Sequence, residues 1–162
     1  MSATIQLLVC TGANAATETV ATGIMLRSND SAATDKSNPI VVPSAGTSRS
    51  YEKWIRWQCT VAPSTQCTNF KYWGPSTTPG TGLTLFAGTT ATGAAPSNSD
   101  SSVATTQQDT NYYDSSHTLA VSGTLTGTNQ KTDFVVLQMD VISTASAGDI
   151  AQQTHNYSYD EN

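Results

Sequence analysis

Residues 51–73, YEKWIRWQCTVAPSTQCTNFKYW, constrain the fold of this chain more than any other stretch. They hold all three tryptophans and two of the three cysteines. Tyr51, Ile55, Trp57, Cys59 and Val61 fall on one side of an extended chain, with Lys53 the one charge among them. Glu52, Arg56, Gln58 and Thr60 fall on the other side, where Trp54 is the exception. A two-residue period of this kind marks a strand with one buried face. Pro63 and Ser64 interrupt the pattern, and an aromatic run resumes at Phe70 and ends at Gly74-Pro75. The reading is a β-hairpin, or a pair of successive strands, that anchors a hydrophobic core.

The rest of the chain repeats this theme with weaker signals. Strands are expected at 5–10, 23–27, 40–42, 82–90, 118–125, 134–142 and 150–159. The small polar run 11–21 reads as a loop or flexible arm. Residues 28–38 read as a turn-rich connection, and the low-complexity run 91–102 as a long surface loop. Residues 44–50 open the chain out before the aromatic stretch, and 103–108 suggest one helical turn. Residues 75–82, PSTTPGTG, are a loop because two prolines and two glycines break any ladder there. With 27 threonines and 19 serines, over a quarter of the chain carries a hydroxyl. Threonine suits a half-exposed pleated surface, and serine suits turns. Together these features predict one antiparallel β-sandwich domain over residues 1–162, of immunoglobulin-like or jelly-roll type. Its flexible loops fall near 11–21, 28–38 and 91–102.

Charge bears on partners. Only 12% of residues are charged and the formal net charge is -5. The seven cations, Arg27, Lys36, Arg49, Lys53, Arg56, Lys71 and Lys131, are scattered along the sequence. Phosphate backbones are bound by several cations on one surface, so nucleic acid is not the expected partner. No apolar run approaches the roughly 20 residues of a membrane-spanning helix. The apolar run 5–10 lacks the cationic flank and length of a secretory core, so synthesis in a cytoplasm is expected.

Candidate chemistry is sparse. His117 and His155 have no His, Cys or Glu at ligand spacing, and the loop aspartates Asp30, Asp35, Asp109 and Asp114 match no calcium loop. There is no Gly-x-Ser-x-Gly nucleophile elbow and no phosphate-cradling glycine loop. Glu52 and Asp140 are the one pair of strand carboxylates with the makings of a glycosidase pair, and a solvated or salt-bridged role fits them better. The expectation is a non-enzymatic protein without metal or cofactor. Cys59 and Cys67 bracket a seven-residue loop, which leaves open a disulfide between them or free buried thiols. Trp54, Arg56, Trp73, Tyr112 and Tyr113 are the candidate interface residues. They suit a core or subunit contact, or a flat aromatic platform for sugar rings.

The segments YEKWIRWQCT, FKYWGPSTTPGTGLTLFAGTT and DFVVLQMDVISTASAGDIAQQTHNYSYDEN carry a resemblance. In them the chain resembles small structural proteins of tailed bacteriophages and prophages with immunoglobulin-like sandwich folds. The similar features are a Tyr-x-Lys-Trp-Ile strand, an Asn-x-x-x-Trp turn, a Gly-containing TLFAGTT strand and an ending on Tyr-x-Tyr-Asp-Glu. They cover residues 51–88 and 133–162, about half of the chain; the pair Cys59 and Cys67 departs from the pattern. The resemblance implies a virion component with no catalytic or cofactor residues. Within that class a capsid decoration (cement) protein is expected, bound to major capsid subunits and to copies of itself as a homotrimer. A tail, neck or baseplate component and a carbohydrate-binding host-attachment module are the alternatives.

Overall fold

A computed structural model describes residues 2–74, 79–108, 117–150 and 152–162. The chain forms two antiparallel sheets packed face to face as a single-domain β-sandwich. The strands are β1 (Thr4–Thr11), β2 (Thr17–Val20), β3 (Thr47–Arg49), β4 (Lys53–Val61), β5 (Cys67–Trp73), β6 (Leu83–Thr90), β7 (Thr106–Gln108), β8 (Leu119–Val121), β9 (Phe134–Ile142) and β10 (Asn156–Glu161). The large sheet runs β2-β1-β4-β9-β6-β7, and β3 also pairs with β9. The small sheet runs β10-β5-β8.

The alternation along β4 sets the main core. Ile55, Trp57 and Cys59 point between the sheets, where they meet Phe70, Tyr72 and Cys67 of β5. Val135, Leu137, Met139 and Val141 of β9 and Leu85 and Ala87 of β6 complete that layer. β4 and β5 are therefore successive strands in opposite sheets and not a hairpin. The turn between them crosses the sandwich instead of reversing within one sheet.

A second, smaller core lies on the outer face of the large sheet. Leu8, Cys10, Trp54, Phe134 and Val136 point there and are covered by Ala15 and Ala104, with Phe86 and Val103 at the margin. The covering segments are 12–16, which contains a single 3-10 turn at Ala13–Ala15, and 91–105. Their close approach depends on glycine. A Cβ on Gly88 would sit 1.8 Å from the Val103 carbonyl oxygen, and one on Gly93 would sit 2.1 Å from that of Asn14. The run 91–102 is also pinned by Gln138, which is buried on β9. Its Nε2 donates to the carbonyls of Ser99 (2.7 Å) and Ser50 (3.1 Å), and its Oε1 accepts from Ser101 N–H (3.0 Å).

Five segments differ from expectation. Residues 17–20 are not a loop but β2, which is antiparallel to β1. Residues 103–108 form no helical turn; 106–108 are the edge strand β7 on β6. Residues 44–50 contain β3, which pairs with the end of β9. Residues 23–27 and 40–42 are not strands. Ile24, Leu26, Ile40 and Val42 do pack on the main core, but Pro39 and Pro43, which flank the second segment, offer no backbone N–H to extend a ladder.

The connection 28–38 closes on the protein's own cations. Arg27, 2% exposed, donates to the carbonyls of Ala33 (3.0 Å) and Ser37 (2.8 Å) and pairs with Asp35 at 3.2 Å. Lys53, 3% exposed, donates to the Ser31 carbonyl. Burial pushes the Lys53 ammonium below its usual pKa, while nearby Asp30 pulls it back up. Asp35 sits at about 2, held there by the Ser37 hydroxyl and N–H and then by Arg27.

Candidate functional site

The five candidate interface residues do not converge. Trp54 is 1% exposed, so it is no part of a surface platform. Its ring meets Phe134 edge-on at 5.3 Å, and its indole N–H donates to Glu52 Oε2 at 3.1 Å. The alternation places Trp54 opposite Trp57 correctly; that face is itself covered, and this is the correction. Trp73 ends β5 with the parity opposite to Phe70 and Tyr72, so it is half-buried on the outer face of the small sheet. The two tryptophans therefore lie on opposite sides of the sandwich and cannot share one flat ligand. Tyr112 and Tyr113 lie outside the described residues.

Arg56 stays half-exposed on the Trp54 side of β4. Its Nε donates to Glu18 Oε1 at 2.9 Å, and its guanidinium lies 4.5 Å above the Phe134 ring centre. Lys131 pairs with the other Glu18 oxygen. Partial burial pushes the Glu18 carboxyl up, but hydrogen bonds from Lys131 and Arg56 and their two charges outweigh it, so the net shift is downward. This cluster ties β2 to β4 and to the chain leading into β9. The i-to-partner register Cys10↔Glu18 and Leu8↔Arg56 brings these residues to one face, which sequence spacing does not reveal.

The two carboxylates are also separated in role, and Glu52 lies just before β4 and not within a strand. Glu52 is buried and accepts the Trp54 indole N–H. Asp140 lies 3.2 Å from Arg49, which also approaches Asp100 at 3.3 Å. Partial burial raises the Asp140 pKa and Arg49 opposes the rise. These groups line a shallow depression of about 350 Å³ with Phe86, Gln138 and Ala104; Glu52 is not among its walls. With one guanidinium between two carboxylates, the arrangement is an ion-pair network over the second core. Among the described residues, no three His, Cys, Asp or Glu side chains gather as a metal site.

A further cluster, absent from the candidates named above, lies at the β10 edge. Trp57 and Tyr157 rings are 5.4 Å apart, Phe70 and Tyr159 stack at 5.4 Å, and Tyr72 stacks on His155 at 5.8 Å. The Tyr72 hydroxyl is hydrogen-bonded to His155 Nδ1, and burial holds the imidazole below its usual pKa. The alternating Tyr157 and Tyr159 are the sequence signal for it. The thiols of Cys10, Cys59 and Cys67 are all buried and free.

No family model, no curated protein and no solved structure matches this chain.

Proposed function

We propose that the chain is a non-enzymatic structural protein of a virion, a capsid decoration protein that stabilises the head. In this role it binds major capsid subunits and copies of itself as a homotrimer, after synthesis in the host cytoplasm. The observation that carries the reading is the large sheet's burial on both faces, with the 91–102 run pinned by Gln138. Such a molecule is a stiff plate held from both sides, suited to bearing load between neighbours. The sequence resemblance over residues 51–88 and 133–162 points to the same class.

The mechanism is mechanical. A rigid block joined to its copies engages several capsid subunits at once, and linked weak contacts gain avidity without any tight single contact. The acidic balance of the chain suits an outward surface better than one facing packaged nucleic acid. The sugar-platform reading loses its main support, because Trp54 is buried. Sedimentation velocity on the purified protein tests self-association. A trimer at micromolar concentration is expected, and a stable monomer across the accessible range contradicts the trimeric form of the proposal.

A further inference from the structure

We propose that Cys59 and Cys67 are an oxidisable pair that closes to a disulfide between the two sheets, tying the end of β4 to the start of β5. Both residues have 0% exposure and belong to the main core between the sheets. One short turn grips both of their backbones. Cys59 accepts from Asn129 N–H at 2.8 Å and donates to the Gln130 carbonyl at 2.9 Å. Cys67 and Leu125 exchange two backbone hydrogen bonds, at 2.8 and 2.9 Å. The turn from Leu125 to Gln130 is closed by Gln130 Oε1, which accepts from Gly127 N–H at 3.1 Å. One turn thus hydrogen-bonds the backbones of both cysteines, which come from opposite sheets and lie in one core. The third cysteine cannot compete, because Cys10 lies in the second core on the other side of the large sheet.

The loop that joins the two cysteines is latched to Asn162: Thr65 and Gln66 N–H donate to the Asn162 carbonyl at 2.9 and 3.1 Å, while Asn162 N–H donates back to Gln66. The Cys59 thiol donates to the Val61 carbonyl at 3.0 Å. Burial raises both thiol pKa values and Glu161 raises them further, so the pair is sluggish while the latch is shut. A low-molecular-weight disulfide such as oxidised glutathione is the oxidant. One deprotonated cysteine attacks it, forms a mixed disulfide and releases one glutathione thiolate, which takes up the proton. The second cysteine then attacks the bonded sulfur, loses its proton and releases the second glutathione as a thiol. Two electrons and two protons pass to the oxidant, and one Sγ–Sγ bond forms.

The sequence makes the test direct. No Lys or Arg lies between Arg56 and Lys71, so trypsin releases both cysteines in one peptide, 57–71, and Cys10 in another. The full-length protein is reduced, unfolded and refolded in a glutathione redox buffer, then alkylated and digested. Unfolding removes the latch as a barrier. The expected result is peptide 57–71 lighter by about 2 Da and unalkylated, with Cys10 alkylated. The thermal midpoint should rise by about 5–10 °C over the reduced form. Two alkylated cysteines or glutathione adducts on that peptide overturn the proposal, as does a cross-linked form that melts no higher than the reduced one.

Discussion

Trp54 and Trp73 differ in what a single truncation removes. Trp54 fills the second core between Phe134 and the covering segments, so Trp54→Ala should cost about 3–5 kcal/mol by chemical denaturation. Trp73 is half-buried, and Trp73→Ala should cost about 1 kcal/mol or less. Equal losses would contradict this assignment of the two faces. His155 makes a second prediction. Its pKa is depressed in the folded state, so the unfolded chain takes up the proton first as pH falls below 6.5. The stability that neutral His155 contributes is intact above that value and is lost as pH drops toward the folded pKa. The expected slope there is at most one proton, about 1.4 kcal/mol per pH unit, and His155→Gln should flatten it. A wild-type curve with no slope between pH 7 and 5 would contradict the buried neutral imidazole. Sequence made Trp57 and Cys59 legible as core residues because their parity is local. The fate of Trp54 was not legible, because it depends on segments some 40 residues away that cover the second face.

Among the elements, the long strands β1, β4, β6 and β9 each carry a continuous apolar run or an apolar alternation, and all four are visible in sequence. The short strands β2 (TETV), β3 (TSR) and β7 (TQQ) are not. Each has three or four mostly polar residues that adopt a strand because a neighbour offers a free edge, and polarity on an edge gives no period to read. The low complexity of 91–102 is likewise ambiguous in sequence, since small residues serve loose loops and close contacts alike. Gly88 and Gly93 decide for contact. Gly88→Ala forces a Cβ into the Val103 carbonyl and should cost about 3 kcal/mol or more, with faster hydrogen exchange across 103–108. Unchanged exchange in that segment would mean that the covering loop does not seat on β6 as described.

At the scale of the whole molecule, the arrangement is a plate with its large sheet covered on both sides and its charges spent largely on one another. The sandwich class was legible from composition and strand spacing, because hydroxyl-rich alternation has few other solutions. The partner was not, because a docking face carries no period and depends on the shape of another molecule. In the proposed decoration role, such a block acts by its position and its copy number. Imaging of purified particles with quantitative mass spectrometry of their proteins therefore separates a head decoration from any other role. A decoration protein should be present in on the order of hundreds of copies, arranged with the symmetry of the head on its outer surface. About a dozen copies or fewer, confined to the tail, or absence from the particle altogether, would contradict it.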